Sequence, residues 1–245
     1  MAKRTIGSLF LLASTVVAGA AMNGDEILAK VVANTAHRRA VLRQYSGTRH
    51  YTVSNHRFGM EATGTVRMSY VEGKGADLQV LATSGSDRLA GVIRRVTDSE
   101  EELSHGSDRA RAEISPANYT ARLLGTELSG GRSCFVIELK PRFKSKHLID
   151  GKAWIDSETY ALVRIEGQFA ASVSAFLGRP HFTQEFGEVA GFWLPVRAHA
   201  TSSTFLLGSS ELTVDYLEYE VGSARYQPSQ TYAENWRATA NPTRR

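Results

Sequence analysis

The chain of 245 residues contains a single cysteine, Cys134, and this scarcity excludes an internal disulfide framework. Cys134 opens the strand-like stretch 134–139, where we expect it to be a small, half-buried hydrophobic side chain and not a catalytic thiol. The stability of the protein must therefore come from apolar burial and from hydrogen bonds.

The sequence also lacks the short motifs by which many enzymes are identified. It has no Gly-x-Ser-x-Gly, no His-Glu-x-x-His, no paired Cys-x-x-Cys and no glycine-rich phosphate loop, and its seven histidines are dispersed. We therefore expect a protein that is not an enzyme and that needs neither a metal nor a cofactor. A secreted hydrolase with a triad assembled from distant residues is the weakest of the alternatives.

Neither sign of charge dominates the chain, which has 29 basic and 25 acidic side chains and a net charge of +4. The basic side chains are scattered, and no basic stripe alternates with aromatic residues. Nucleic acid is therefore not an expected partner.

The first 21 residues have the order of features found in a secretory signal peptide. Lys3 and Arg4 form a basic start, an apolar run follows at 6–17, and small residues fill 18–21. The run is shorter than the roughly 20 apolar residues of a membrane span. Because Cys134 lies far from the cleavage site, the new N-terminus cannot carry a lipid. We expect a soluble periplasmic protein in which residues 22–245 form one domain.

Two amphipathic helices are predicted from the spacing of apolar residues. The first extends from Asn23 to Tyr45, begins with Asn23 and Glu26 at capping-box spacing, and ends before Gly47. The second extends from Asp87 to Leu103 and is inserted among strands.

Alternation of apolar and polar residues, with turn residues between the segments, predicts an antiparallel meander. Its strands are Arg49–Phe58, Gly64–Tyr70, Asp77–Thr83, Tyr119–Leu124, Arg132–Leu139, Gly151–Asp156, Leu162–Gly167, His181–Gly187, Phe192–His199 and Ser210–Tyr219.

Several segments carry a resemblance to a known family. The main ones are the hairpin 151–167, with Trp-Ile-Asp before its turn and Val-Arg-Ile-Glu-Gly after it, and the Gly-Phe-Trp-Leu-Pro of 191–195. The match also includes residues 118–119, 123–125, 131–134 and 139–146. Together they resemble the LolA-like family of periplasmic outer-membrane lipoprotein carriers and sorting proteins. The likeness covers roughly residues 119–219.

This resemblance implies a mainly β (α+β) fold: a single antiparallel sheet curled into an incomplete half β-barrel, covered by an N-terminal helix and an inserted lid helix. Its apolar face would receive acyl chains. Alternate strand residues supply such a face, and we expect the lipid-binding residues to be Phe135, Ile137, Ile155, Val163, Ile165, Phe182, Phe186, Val196, Val214 and Tyr216.

The implied function is that of a carrier that binds lipid or lipoprotein acyl chains noncovalently, for lipoprotein sorting or lipid transport, and exchanges them with an inner- or outer-membrane partner protein. Leu89, Ile93 and Val96 are the apolar stripe of the helix 87–103. If this helix is a lid, the stripe docks reversibly; if it is a fixed part of the core, the same residues stabilise the whole fold.

The family also implies an arginine near the first strands that acts in cargo release, for which Arg43, Arg49 and Arg57 are the candidates. An alternative function is that of an RseB-like periplasmic sensor that shares the half-barrel and binds an anti-sigma factor. Such regulators usually carry a further C-terminal domain, whereas only residues 220–245 follow the last predicted strand.

The signal peptide can be tested on protein recovered from the cell envelope. We expect N-terminal sequencing to give Ala21 or Met22 as the first residue, because peptidase cleaves after small side chains. The same protein should stay in solution without detergent. Recovery of Met1 as the first residue would contradict the prediction.

Overall fold

The computed structural model describes residues 22–174, 177–206 and 208–227. The predicted signal peptide, residues 1–21, lies outside the described residues. Within the described part no helix is both long enough and apolar enough to cross a membrane.

Within these described ranges the fold comprises three α-helices, eleven strands and one turn of 3-10 helix, His56–Phe58. The helices are α1 (Gly24–Val41), α2 (Asp87–Ser104) and α3 (Gly106–Ala112). The strands are β1 (Gln44–Asn55), β2 (Met60–Val71), β3 (Gly75–Gly85), β4 (Tyr119–Ser129), β5 (Arg132–Pro141), β6 (Ile149–Asp156), β7 (Leu162–Phe169), β8 (His181–Val189), β9 (Phe192–Thr204), β10 (Gly208–Val221) and β11 (Ala224–Tyr226).

All the strands belong to one antiparallel sheet with the order β3-β2-β1-β10-β9-β8-β7-β6-β5-β4, and β11 pairs with β10. Strands β3 and β4 stand at the two ends of this order, and no ladder joins them in the described ranges. The sheet is therefore an incomplete barrel, which confirms the predicted fold class. Each predicted strand is present and longer than predicted. The predicted strand Arg49–Phe58 ends earlier, at Asn55, because residues 56–58 form a turn of 3-10 helix that the Asn55 side chain caps. Strand β11 was not predicted.

Helix α1 begins as predicted but ends earlier. Asn23 and Glu26 form a capping box, in which each side chain accepts a hydrogen bond from the other residue's backbone N–H. The helix stops at Val41 rather than Tyr45, because Leu42 leaves the helical conformation and Tyr45 already lies in β1 opposite Tyr70.

Gly47 also has a different role from the predicted helix stop. It lies inside β1, where an added Cβ would stand 2.5 Å from the carbonyl oxygen of Glu218 in β10. A glycine here lets the two backbones approach closely. The helix therefore ends at its own cap and not at this residue.

The prediction for α2 is correct to within one residue at its C-terminal end. Helix α3 was not predicted, since its seven residues carry no apolar stripe. The two helices follow each other directly after β3.

The two long helices cover the same face of the sheet, which we call the inner face. Leu28 of α1 belongs to a buried cluster on β5–β7, whereas Ile93 of α2 belongs to one on β1, β2 and β10. Phe182 of β8 packs against both clusters, so the inner face is continuous. A smaller cluster of Cys134, Val136, Trp154, Val163 and Trp193 lies on the opposite, outer face.

Side chains of both helices also bind the backbone at the two edges of the sheet. The N–H of Ala76 in β3 donates to Ser104 Oγ of α2 at 2.7 Å, and the N–H of Ala121 in β4 donates to Asp25 Oδ1 of α1 at 3.0 Å. Each edge strand also has a β-bulge, where Leu81 of β3 and Leu124 of β4 are skipped in the pairing.

Three further bulges change which face a residue meets. Pairing skips Val163 in β7, Val196 in β9 and Leu217 in β10. The skip at Val163 breaks the alternation with Ile165 and places Val163 in the outer cluster. The prediction that Val163 shares the inner apolar face is therefore wrong, because a bulge shifts a strand's alternation by one residue.

Candidate functional site

Two adjoining clefts open on the inner face. The first, which we call the apolar cleft, has a volume of about 340 Å³ and lies between α1 and strands β5–β8. Its apolar side chains are Val31, Ala112, Ile114, Tyr119, Leu139, Ile149, Leu162, Ile165, Phe169, Phe182, Phe186 and Trp193. Polar side chains complete the lining: Asn34, Thr35, Arg38, Arg39, Glu113 and His147. A concave space of this size with aliphatic and aromatic walls is typical of small-molecule sites.

The second, which we call the charged cleft, has a volume of about 270 Å³ and lies between the end of α1, strands β1–β3 and the C-terminal turns of α2. Four arginines and one carboxylate line it: Arg38, Arg39, Arg49, Arg109 and Glu100. Apolar side chains fill the rest of the wall: Leu42, Met68, Ala76, Leu78 and Leu103. Tyr45 and Tyr70 stand in the same wall, with ring centroids 5.1 Å apart.

Arg49 is the most buried of these arginines, with 8% of its surface exposed. Its guanidinium pairs with Glu100 of α2, and its central carbon lies 4.6 Å from the centroid of the Tyr216 ring. The pair links the middle of the sheet to the helix above it. Because Glu100 is 38% exposed, its carboxylate keeps part of its hydration.

Tyrosines surround Arg49. Tyr51 Oη accepts a hydrogen bond from the guanidinium at 3.4 Å, and Tyr216 stacks on Tyr219 with 12° between the ring planes. Burial raises the pKa of Tyr51, and it raises the pKa of Tyr216 to about 12. The phenols therefore stay neutral at physiological pH, and their ring faces stabilise the cation.

The other two arginines predicted as release candidates stand elsewhere. Arg43 is exposed, and Arg57 donates a hydrogen bond to the carbonyl oxygen of Phe205 at 2.6 Å. Of the three, Arg49 is the one whose side chain bonds to α2 in the described part of the chain. The geometry therefore favours Arg49 for any role that involves this helix.

The structure brings only some of the predicted lipid-binding residues together. Ile165, Phe182 and Phe186 line the apolar cleft. Phe135, Ile137 and Ile155 belong to the cluster beneath α1. Val214 and Tyr216 belong to the cluster beneath α2, and Val196 is buried at the β9 bulge.

The stripe predicted on α2 docks on the sheet. Leu89 and Ile93 are buried in the cluster of β1, β2 and β10, and Val96 packs against it. Ile93 is fully buried, and it stands next to Gly64 of β2, where an added Cβ would come within 3.0 Å of its side chain. The first half of α2 is therefore anchored by apolar contacts.

The C-terminal turns of α2 are held mainly by polar contacts. Besides the Arg49–Glu100 pair, Ser104 Oγ accepts from the N–H of Ala76, and Glu101 Oε2 accepts from the N–H of Leu78 at 3.5 Å. The two halves of the helix thus differ in the kind of contact that holds them.

Sequence reasoning missed the charged cleft. Its arginines come from α1, β1 and α3, which are far apart along the chain. The clustering of Arg38 and Arg39 at the end of a predicted helix was visible, but it reads equally well as a favourable interaction with the helix dipole. Within the described residues no three His, Cys, Asp or Glu side chains form a group that could hold a metal ion.

No protein-family profile matches the chain, and no curated protein matches it. Among solved structures, the chain is similar to an outer membrane lipoprotein-sorting protein domain from Vibrio parahaemolyticus. The two are 14% identical, the match covers 85% of this chain and 98% of that one, and the TM-score is 0.46. The chain is also similar to a LolA superfamily protein from Nitrosomonas europaea, with 14% identity, coverages of 88% and 100%, and a TM-score of 0.46.

A third similar structure is the MucA/MucB complex of Pseudomonas aeruginosa, with 10% identity, coverages of 82% and 99%, and a TM-score of 0.27. The first two neighbours are a lipoprotein-sorting protein domain and a LolA superfamily protein. The similarity is too distant to transfer a ligand, a partner or an activity to this chain.

The Arg49–Glu100 pair yields a stability prediction. Replacing Glu100 by Gln removes the carboxylate that faces a buried guanidinium, so we expect the free energy of unfolding to fall by about 1–2 kcal/mol. The loss is modest because the Glu100 side chain is partly exposed to solvent. Equilibrium unfolding in urea measures this change in the free energy of unfolding. The control is Glu102→Gln on the exposed side of the same helix, and equal stabilities of the two variants would contradict the prediction.

Proposed function

We propose that this protein is a periplasmic carrier that binds lipid or lipoprotein acyl chains noncovalently in the apolar cleft, for lipoprotein sorting or lipid transport. The observation that supports the proposal is the cleft itself, with Ile165, Phe182 and Phe186 in its wall. An exported chain that keeps such a surface concave and accessible can shelter a hydrocarbon from water.

The energetics of burial are sufficient for this role. Each methylene sheltered from water contributes about 0.8 kcal/mol, so a ten-carbon segment contributes about 8 kcal/mol before ordering costs. Before those costs this is the free energy of roughly micromolar binding, and the ordering of the chain makes the net affinity weaker. No catalytic residue is needed.

Helix α2 is the part of the fold that we propose to move. Its first half is fixed by Leu89 and Ile93 in the core, whereas its C-terminal turns rest on the Arg49–Glu100 pair and a few hydrogen bonds. Opening those turns exposes the charged cleft, which adjoins the apolar cleft at Arg38 and Arg39. In this proposal the C-terminal half of α2 is the moving lid, and its N-terminal half stays in place.

The first test of the carrier proposal is the lipid content of the protein purified from its native envelope. We expect extraction and mass spectrometry to recover lipid near one equivalent. A regulator or a hydrolase would copurify without stoichiometric lipid, and that result would contradict the proposal.

Filling the apolar cleft should abolish binding without disturbing the core. Thr35 lines the cleft from α1, so Thr35→Trp is expected to weaken binding of a dansylated undecanoic acid at least tenfold, measured by fluorescence titration. The matched control is His37→Trp, which adds the same ring on the exposed side of α1 and should bind like the unaltered protein.

A second variant, Ile165→Glu, places a carboxylate in the cleft wall and should also abolish binding, because an unpaired buried charge is costly and repels the carboxylate of the probe. Circular dichroism confirms that each variant folds. If Thr35→Trp is folded and binds with unchanged affinity, the apolar cleft is not the acyl site.

The lid makes a kinetic prediction. Glu100→Gln should speed release of the dansylated acid several-fold in stopped-flow measurements, because the C-terminal turns lose their strongest contact. Ile93→Ala should instead lower global stability by about 2–5 kcal/mol, as expected for a core truncation. Equal release rates for Glu100→Gln and the unaltered protein would show that these turns do not gate the cleft.

A further inference from the structure

Arg38 differs from the other arginines of the charged cleft in having no carboxylate partner within the described residues. Its guanidinium donates to the backbone carbonyl oxygen of Trp193 at 2.7 Å, a neutral acceptor. Burial is the main cause that lowers the pKa of Arg38, which is the direction expected for a cation removed from water without a counter-charge.

Each of the other three arginines faces an acid. Arg39 pairs with Glu113 at 2.9 Å, Arg109 pairs with Glu72 at 3.4 Å, and Arg49 pairs with Glu100. The charged cleft therefore holds one positive charge more than its carboxylates neutralise. The C-terminal end of α1 carries a partial negative charge of about half an elementary charge, which acts on both Arg38 and Arg39. It therefore offsets only part of the surplus.

A second observation concerns Arg49, which stands in the wall of the same cleft. The Nε atom of Arg49 is buried and has no hydrogen-bond partner in the described part of the structure. Buried guanidinium nitrogens are nearly always hydrogen-bonded. The surplus of positive charge favours an anionic ligand, and the free N–H of Arg49 adds a donor that a hydrogen-bond acceptor can satisfy.

The position of Arg38 specifies the kind of molecule. Arg38 and Arg39 line both clefts, so they stand where the apolar cleft meets the charged cleft. A ligand that reaches across this boundary has a hydrocarbon end and a polar end. Arginine is well suited to the polar end, since its planar fork binds phosphate and carboxylate oxygens in pairs.

We propose that the charged cleft binds the anionic headgroup, a phosphate or a carboxylate, of the amphiphile whose chain occupies the apolar cleft. This inference rests on the proposed acyl-chain carrier. It adds that the preferred cargo is an anionic lipid, and that Arg38 is the cation that selects it.

Matched ten-carbon probes separate the two ends of the ligand. Decyl phosphate, decanol and inorganic phosphate are titrated by calorimetry below micelle-forming concentrations. Because a hydrogen bond between charged groups in a partly desolvated site is strong, we expect decyl phosphate to bind at least tenfold more tightly than decanol. Added salt should weaken the phosphate probe and leave decanol unaffected.

Variants at Arg38 identify the cation. Arg38→Gln should reduce the affinity for decyl phosphate to that for decanol, whereas Arg38→Lys keeps the charge and should retain most of the preference. Arg43→Gln, which removes an exposed arginine just beyond the same helix, is the control and should bind like the unaltered protein. A purely structural Arg38, needed only to hold the Trp193 carbonyl, would lower the melting temperature in Arg38→Gln without changing the ratio of the two affinities.

The outcomes distinguish this inference from the carrier proposal. If decanol and decyl phosphate bind equally, the headgroup site is wrong and the acyl cleft stands. If inorganic phosphate binds in an Arg38-dependent manner and neither decyl probe binds more tightly than it does, the charged cleft binds a free anion. The proposal of an anionic lipid is then wrong. If Arg38→Gln and Arg43→Gln weaken decyl phosphate equally, the effect is one of net charge and the assignment to Arg38 fails.

Discussion

The antiparallel pairing of β1 with β10 is the interaction on which the rest of the molecule depends. It joins residues 44–55 to residues 208–221, nearly the two ends of the described chain, and so fuses the meander β1–β3 with the meander β4–β10. Arg49 thereby stands opposite Tyr216, and α2 docks on side chains from both ends of the sequence. Without this ladder the two clefts would not share a boundary.

Much of the fold could be predicted from the sequence, because the two faces of most strands meet different surroundings. In β2, Val66 and Met68 are buried while Arg67 and Ser69 are exposed, and this contrast produces the period of two. Local chemistry also located the start of α1, where Asn23 and Glu26 satisfy free backbone donors. Such signals lie within a few residues of each other.

The remainder depends on contacts between distant segments or on irregular pairing. A bulge leaves no mark in the composition of a strand, so Val163 was placed on the inner face together with Ile165. The charged cleft was not predicted, since Arg38, Arg49 and Arg109 meet only after the sheet has brought three elements together. The position of α1 likewise decides which apolar residues line the apolar cleft and which fill the core.

An open sheet has two edges with free backbone donors, and in this protein the helices that cover the inner face also occupy them. Ser104 of α2 binds the N–H of Ala76 on one edge, and Asp25 of α1 binds the N–H of Ala121 on the other. Bulges at Leu81 and Leu124 bend the same strands. If α2 moves as proposed, the N–H groups of Ala76 and Leu78 lose their side-chain acceptors, and this end of β3 becomes able to pair with another chain.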